Sequence, residues 1–196
     1  MANVVIQTAV NTLGKDAMTA NAVASQFDAF IYTVGAAFAT ACMAFVGQNL
    51  GAKKIDRIKD VIIKTIMTAT VISLGLGIIF IILSDVLCGI MTDNPAIVDI
   101  AKTRMYLLCS TYFTASIMEV FSFSLRALGW YKNTVAVGFL CGFIIRVFWV
   151  NVIWPLNPAL WTLYMSYPVS NIIAIAIYLY VFAKAIKKLR KDFQEA

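Results

Sequence analysis

Three charged side chains lie inside long uncharged stretches of this sequence, and they are the first candidates for chemistry. Asp28, Glu119 and Arg146 are each surrounded by apolar and small residues. Taking a charge out of water is costly unless the charge is paired or binds an ion or a ligand. We therefore predict that these three residues bind an ion or a charged group of a ligand, or pair with one another.

The sequence leaves alternative roles open for each of these charges. Glu119 shares its stretch with many hydroxyl side chains, so its carboxylate can bind Na⁺, cycle a proton, or act as the structural partner of Arg146. Arg146 is predicted to be a counter-ion for Glu119 or for an anionic group of a substrate, or else half of a packing ion pair between two helices. Asp28, about one turn inside a predicted helix, either takes part in ion or substrate binding or reaches water at the helix end.

Polar and aromatic side chains near these charges are predicted to line a cavity. Tyr32, Thr114 and Ser122 are the cavity-lining candidates. Tyr32 also belongs to an aromatic group that can hold an organic cation over ring faces or simply pack against other helices or lipid. The other members of that group are Phe27, Phe30 and Phe38.

Several kinds of site are absent from the sequence. It has no histidine, and its four cysteines show no CxxC or CxxH spacing, which argues against a metal site or a disulfide framework. It has no GxxxxGK[ST] phosphate loop either. We therefore predict that the protein is not an enzyme and uses no cofactor. The one metal ion that the sequence leaves open is Na⁺ at Glu119.

The composition is that of a membrane protein. Hydrophobic residues make up 61% of the chain and charged residues 13%, and the mean hydropathy is +0.84. The charged share is about half that of an ordinary soluble domain. The basic residues that give the net charge of +6 flank apolar runs, which indicates contact with lipid headgroups and argues against nucleic acid as a partner.

The lengths of the apolar runs predict an all-α, polytopic membrane helix bundle with five full spans. A run of about 20 residues crosses the roughly 30 Å hydrocarbon core as a helix. Residues 2–13 are too short to cross alone, and are predicted to be the end of a truncated first helix or, alternatively, an interfacial segment. The predicted spans are residues 21–46, 65–84, 105–125, 133–154 and 160–183.

Polar segments are predicted to connect these spans. Gly47, Gln48 and Gly51 are expected to form a turn after the first span. The amphipathic segment 55–64 is expected to lie along the membrane interface before the second span begins. Residues 85–104 are the longest polar connection, with an Asn-Pro turn signal inside it and residues 99–102 expected to start the next helix.

Glycine and proline predict local features within this plan. Gly129 is expected to end a helix in the left-handed conformation, and Pro168 to allow a bend in the last span. Gly138 and Gly142 have the GxxxG spacing of helix packing. A stripe of small residues on the first span is expected to admit a close helix neighbour: Gly35, Ala36, Ala39, Thr40 and Ala44.

The distribution of basic residues predicts the topology. With five crossings, the segments 51–64 and 126–132 and the C-terminal tail lie on one side, and they hold twelve of the sixteen basic residues. The opposite side holds Lys15, Lys102 and Arg104. By the positive-inside rule, the basic side is cytoplasmic, so we predict a multi-pass protein of the inner or plasma membrane with a cytoplasmic C-terminus.

Three stretches resemble one family of transporters. The stretch AFVGQNLGAKKIDRIKD resembles the loop between the eighth and ninth helices of multidrug and toxic compound extrusion (MATE) transporters. The stretch IMEVFSFSLRALGWYKN is similar to the tenth helix and its LRGLG-type exit, with Ala127 in place of the first glycine. The stretch RVFWVNVIWPLNPALWTLYMSYPVSN is similar to the eleventh and twelfth helices, including the step at Tyr167 and Pro168.

The resemblance implies that residues 1–196 form a single C-terminal transmembrane lobe, a fragment without its N-terminal six-helix lobe. It implies an antiporter that exports amphipathic or cationic compounds in exchange for Na⁺ or H⁺, with the lipid bilayer, the missing lobe and a small organic substrate as partners. The alternatives are a flippase for lipid-linked substrates in the same superfamily, or an inactive fragment. In the sodium-coupled branch, acidic residues lie on the seventh and tenth helices. Here the truncated seventh helix has no acidic residue, and Glu119 lies on the tenth about one turn nearer the LRALG exit.

Overall fold

The computed structural model describes residues 2–194, and this part of the chain is helical, with no strand. The longest helices run the length of a bundle, and α5 lies at its centre, packed against α2, α3, α4, α6, α8 and α9. The α-helices are α1 (Ala2–Asn11), α2 (Lys15–Gly51), α3 (Ile55–Ile82), α4 (Ser84–Met91), α5 (Pro95–Ala127), α6 (Tyr131–Phe139), α7 (Ile145–Phe148), α8 (Leu160–Tyr164) and α9 (Ser166–Gln194).

Two of the spans are built from several helical pieces. Between α6 and α7 lies the π-helical segment Leu140–Ile144, and after α7 come a second one, Trp149–Ile153, and the 3₁₀ turn Trp154–Leu156. The chain nevertheless forms one continuous rod from Tyr131 to Leu156. The rod ends directly after Pro155, as expected from the missing proline N–H. The last span is interrupted at Met165, three residues before Pro168, between α8 and α9.

Four helices in the described residues are long and apolar enough to cross a membrane: α2, α3, the rod Tyr131–Leu156, and Leu160–Phe193. The prediction was five full spans. The remaining one, α5, has 33 residues and is long enough, but it carries more polar side chains. Because α5 is surrounded by other helices, its surface packs mainly against protein, where hydroxyl and charged groups find partners. The polytopic helical bundle is thus confirmed, and α5 is its core.

The outer surface of the bundle is apolar. Along α3, Met67 is 63% exposed and Val71 is 69% exposed, and Ile82 near its end is 72% exposed. Side chains of this kind on a helix in contact with water would be unfavourable over such a length. The exposed apolar surface is therefore suited to lipid.

The ends of α2 and α3 differ from the prediction. Gly47, Gln48 and Gly51 belong to the last turns of α2, and the chain turns at residues 52–54, where Lys53 has a φ of 56°. The segment 55–64 is part of the continuous helix α3 and is not a separate interfacial helix. Its residues Ile58 and Ile62 are fully buried in the largest apolar core, so this segment packs on the bundle instead of on the lipid surface.

The predicted polar connection 85–104 is mostly helical. It contains α4 and the first ten residues of α5, separated by a turn at residues 92–94. Asn94 caps α5, since its side-chain oxygen accepts a hydrogen bond from the Ala96 N–H at 3.1 Å, and Pro95 occupies the first helical position. Consequently α5 begins about ten residues earlier than the predicted span at 105.

Glycines allow close helix contacts at two places. A Cβ at Gly35 would lie 2.4 Å from the Ser116 hydroxyl oxygen, and one at Gly77 would lie 2.3 Å from the Cys109 carbonyl oxygen. In the small-residue stripe of α2, Gly35 and Ala39 are buried as predicted, but Thr40 is exposed.

Three further glycines test the local predictions. Gly129 has a φ of 82° and ends α5, which confirms that prediction. Gly138 and Gly142 have open space at the Cβ position, so the predicted GxxxG packing is wrong.

The three predicted cytoplasmic segments meet at one end of the bundle. Arg190 in the tail forms an ion pair of 2.7 Å with Asp56 at the start of α3. A groove of about 520 Å³ is lined by residues of both the 126–132 loop and the tail, among them Lys132 and Lys188. At the other end, Lys102 pairs with Asp85. Five crossings require the three basic segments to lie at one end of the bundle and Lys102 at the other, as they do here.

Candidate functional site

A cavity lined by charged and polar residues lies among α1, α2, α5, α7 and α9. It has a volume of about 540 Å³ and opens to the outside of the bundle. We call it the central cavity. Charged and polar side chains dominate its wall, including Asp28, Tyr32, Arg104, Glu119, Arg146 and Asn171. The three charged residues predicted from the sequence thus surround one space, together with a fourth, Arg104.

Asp28 and Arg104 form an ion pair that is almost completely buried. Asp28 is 3% exposed and Arg104 is 8% exposed. The Arg104 Nη2 and Nε groups donate to the same carboxylate oxygen, Asp28 Oδ2, at 2.5 and 3.2 Å, and the Tyr112 hydroxyl donates to it at 3.4 Å. The prediction that Asp28 reaches water at a helix end is therefore wrong, and so is the placement of Arg104 in a polar connection.

The ion pair extends into a network that joins four helices. The Arg104 Nη1 group donates to the Asn21 side-chain oxygen, which also accepts from the Tyr164 hydroxyl at 2.9 Å. The Asn21 amide donates to the Gln7 side-chain oxygen at 2.7 Å. The guanidinium carbon of Arg104 lies 5.1 Å from the centre of the Tyr164 ring. Hydrogen bonds thus connect α1, α2, α5 and α8 through one buried cation.

Glu119 has a different environment from Asp28. Its Oε1 atom accepts a hydrogen bond of 3.0 Å from the Tyr32 hydroxyl, and its Oε2 atom accepts none from residues 2–194. It forms no ion pair with Arg146 in this part of the chain, so that predicted pairing is wrong. Because an ionised carboxylate has about four acceptor positions, Glu119 retains the capacity to bind a proton or a cation.

Arg146 projects into the central cavity from the rod Tyr131–Leu156. Its Nε group donates to the Ser170 hydroxyl at 3.2 Å and its Nη1 group donates to the Asn3 side-chain oxygen at 3.3 Å. Its guanidinium carbon lies 4.4 Å from the centre of the Tyr167 ring. Within residues 2–194 no carboxylate pairs with it, so its partners are neutral.

A smaller pocket adjoins the central cavity and shares part of its wall. It has a volume of about 120 Å³, and Glu119, Arg146 and Asn171 line both spaces. Ser122 lines this pocket, as predicted, and its hydroxyl accepts a hydrogen bond from Arg126 at 3.2 Å.

The remaining predicted lining residues take different positions. Tyr32 lines the central cavity, as predicted. Thr114 lines neither space, because it is buried and its hydroxyl accepts from the Asn171 amide at 3.3 Å. The rings of Phe27 and Phe30 pack on Phe80, at 5.9 and 6.0 Å between centres.

The arrangement has limited capacity for a metal ion built from protein carboxylates. Among residues 2–194, no group of three His, Cys, Asp or Glu side chains is placed to hold one. The Tyr32 hydroxyl contacts the Glu119 carboxylate, and Ser122 and Asn171 line the smaller pocket together with it. A singly charged ion such as Na⁺ or a proton suits this set better than a divalent cation.

The residues that line the central cavity on α5 and on α2 follow a helical periodicity in the sequence. On α5 the lining residues recur every three or four positions, so they share one face, and the same is true of α2. The series on α5 is Arg104, Leu108, Thr111, Tyr112, Ala115, Met118 and Glu119, and that on α2 is Ser25, Gln26, Asp28, Ala29 and Tyr32. Following the face that contains Glu119 toward the start of α5 would have identified Arg104.

Comparison with solved structures shows that the chain shares its fold with part of several longer proteins. The Vibrio cholerae MATE transporter VcmN in its bent form is similar with a TM-score of 0.83 at 19% identity, over 96% of this chain and 43% of that chain. An outward-facing multidrug resistance MATE family transporter of the MOP superfamily has a TM-score of 0.78 at 15% identity, over 91% of this chain and 40% of that one.

A third similar structure, a MOP superfamily transporter from Pyrococcus furiosus with a reverse polarity of its binding pocket, has a TM-score of 0.76 at 16% identity, over 94% of this chain and 41% of that one. The chain thus spans about two fifths of the length of these proteins. No curated protein sequence matches it. A family model described as MatE matches residues 1–152, which is more than half of the chain, and the protein therefore belongs to the MatE family of membrane transporters.

Proposed function

We propose that this chain forms one lobe of a cation-coupled antiporter that exports amphipathic or cationic organic compounds. The single observation that carries the proposal is Glu119, a carboxylate on the wall of an open cavity that accepts one hydrogen bond from the described residues. A side chain with such spare capacity in a membrane segment is suited to bind a proton or Na⁺ reversibly. The same carboxylate attracts an organic cation.

Competition for Glu119 would produce exchange. When a proton or Na⁺ occupies the carboxylate, its negative charge is compensated and a cationic substrate loses its attraction to the cavity wall. When the substrate is bound, the coupling ion is excluded. If each ligand favours a different orientation of the lobe, alternating access follows from their differential affinities.

A second lobe would complete the substrate site. The central cavity is open on one side, and the chain covers only 40–43% of the transporters that share its fold. We propose that six further helices face this opening and that the two lobes rock against each other around it. The buried Asp28 and Arg104 pair would keep this lobe rigid during that motion.

The proposed location is the inner or plasma membrane, with the C-terminus in the cytoplasm. The basic segments that meet at one end of the bundle support this orientation through the positive-inside rule. Anionic headgroups of the inner leaflet would then contact Lys132 and Lys188.

The experiment is ion-driven transport by the complete gene product in everted membrane vesicles. A fluorescent organic cation is followed while a Na⁺ or proton gradient is imposed. Glu119→Gln should abolish gradient-driven transport but leave membrane insertion unchanged, since the amide keeps the size of the side chain and cannot exchange a proton near neutral pH. Asp85→Asn, which removes an exposed carboxylate that does not line the cavity, is the matched control and should transport like the wild type.

Transport by Glu119→Gln at the wild-type rate would refute the coupling role. Translocation of a lipid-linked substrate, without export of the cation, would instead indicate a flippase. If the complete gene product transports neither compound in vesicles that contain it, the proposed function is refuted.

A further inference from the structure

Arg146 is a cation on the cavity wall for which the coupling mechanism has no use. It lies near the middle of the rod Tyr131–Leu156, where a charge costs about 2.5–3.5 kcal/mol by translocon scales. A carboxylate partner would offset that cost, but none pairs with it among residues 2–194. The charge is therefore free to meet an anionic group that enters the cavity.

The backbone on both sides of Arg146 is unusual. The short helix Ile145–Phe148 that carries it lies between the π-helical segments Leu140–Ile144 and Trp149–Ile153. A π-helical turn accommodates an extra residue and rotates the side chains that follow, and such turns occur frequently at functional sites. Here the turn Leu140–Ile144, which precedes Arg146, changes which residue of the rod faces the central cavity, and that residue is the arginine.

The guanidinium is also held in a fixed orientation. It stacks on Tyr167, and two of its five N–H groups donate to Ser170 and Asn3. The other three donate to no acceptor within the described part of the chain. Stacking and two hydrogen bonds reduce the entropy that a ligand would otherwise lose in ordering the side chain. The remaining N–H groups, on Nη1 and Nη2, are the fork that a planar oxyanion engages with two parallel hydrogen bonds.

The charges of the cavity select the kind of oxyanion. Asp28 and Arg104 neutralise each other, and the two other charges of the cavity lining, Glu119 and Arg146, form no ion pair within residues 2–194. A phosphate monoester carries nearly two negative charges near neutral pH, so a single arginine would compensate only about half of its charge. A carboxylate matches the single charge of Arg146, and a positive group on the same molecule would be attracted to Glu119.

We propose that Arg146 binds the carboxylate of a zwitterionic amphiphile whose cationic group is directed toward Glu119. The proposal rests on the proposed function, because it names the substrate class of the same cavity. The proposal gives the substrate a second point of attachment. Glu119 selects cationic compounds, and Arg146 favours those cationic compounds that also carry a carboxylate.

The test is equilibrium binding of two matched probes to the purified, complete gene product in detergent. One probe is an amino-xanthene dye with a free carboxylate, and the other is its methyl ester, which keeps the cationic ring system. Fluorescence polarisation gives a Kd for each, and the ratio of the two measures the carboxylate preference. Arg146→Gln should weaken the carboxylate probe about tenfold or more and leave the ester within about twofold.

Two further variants control this result. Arg57→Gln removes an exposed arginine at the cytoplasmic end and should leave both Kd values unchanged. Arg146→Lys keeps the charge without the planar fork and should retain only part of the preference. If the glutamine variant does not fold, as judged by size-exclusion chromatography, the carboxylate preference of the lysine variant tests the proposal.

Equal weakening of both probes by Arg146→Gln, or an unchanged ratio in either Arg146 variant, would overturn the proposal. Because binding is measured without an ion gradient, this outcome is separate from the coupling role of Glu119. Gradient-driven export of the ester by Arg146→Gln should persist if the proposed function holds, whatever the binding ratio shows.

Discussion

The buried ion pair between Asp28 and Arg104 makes a quantitative prediction about stability. Asp28→Asn leaves the arginine cation buried with a neutral amide in place of its carboxylate, and Arg104→Met leaves the carboxylate buried with Tyr112 as its remaining donor. Loss of one member of a buried pair costs about 3–5 kcal/mol, because the other charge stays uncompensated. For a chain of 196 residues, each kcal/mol lowers the melting temperature by roughly 2–4 °C, so we expect each single variant to melt about 6–20 °C lower.

The double variant separates a true pair from two independent side chains. Removal of both charges leaves no uncompensated ion, so Asp28→Asn combined with Arg104→Met should be less destabilised than the sum of the single variants, by about 2–3 kcal/mol. The residual loss reflects Asn21, whose side-chain oxygen would keep only the hydrogen bond from Tyr164.

Tryptophan fluorescence of the detergent-solubilised protein during a thermal ramp is a suitable assay. Lys102 and Asp85 provide the matched control, because they also form an ion pair near the start of α5, but Asp85 is 71% exposed. Asp85→Asn should lower the melting temperature much less than Asp28→Asn does. Similar shifts in both, or additive effects in the double variant, would show that the Asp28 carboxylate is solvated in the membrane and that the reasoning from burial is wrong.

Two other predictions concern packing and topology. Gly77→Ala should destabilise the bundle by about 1–3 kcal/mol, since the new Cβ would meet the Cys109 carbonyl oxygen at 2.3 Å, whereas Gly75→Ala, with open space around it, should be neutral or slightly stabilising in the same thermal assay. If both alanine variants melt alike, α3 and α5 are not in close contact. A cysteine introduced in place of Met91 should react with a membrane-impermeant maleimide on intact cells, and one in place of Asp192 only after permeabilisation. The reverse pattern would invert the proposed orientation.

The helical bundle was predictable because its signals are local. Runs of apolar residues and the basic segments between them define the spans without knowledge of tertiary contacts. The start of α5 was predictable in principle as well, since asparagine before proline is a helix-start signal as well as a turn signal. At Asn94 the helix-start alternative is the one realised, with the side chain capping the Ala96 N–H.

The pairing of charges was not predictable from local signals. Pairing of Glu119 with Arg146 was one of the alternatives that the sequence left open, and contact across two helices depends on how each is rotated about its axis. The π-helical segments Leu140–Ile144 and Trp149–Ile153 change that rotation on both sides of Arg146. A regular 3.6-residue periodicity applied to this rod therefore cannot give the direction of the guanidinium.

The errors at Asp28 and Arg104 have a common physical origin. A hydropathy run ends at a charged or polar residue, so each member of this pair was taken as lying near the end of its span. In the structure α2 begins at Lys15 and α5 at Pro95, which places Asp28 roughly 20 Å and Arg104 roughly 14 Å inside their helices. The charges interrupt the apolar runs, but the helices continue, because each charge supplies the counter-ion that the other needs away from water. In a polytopic chain, opposite charges at the apparent ends of two spans are therefore candidates for a buried pair. The capping residues beyond these charges show whether each helix continues past its charge.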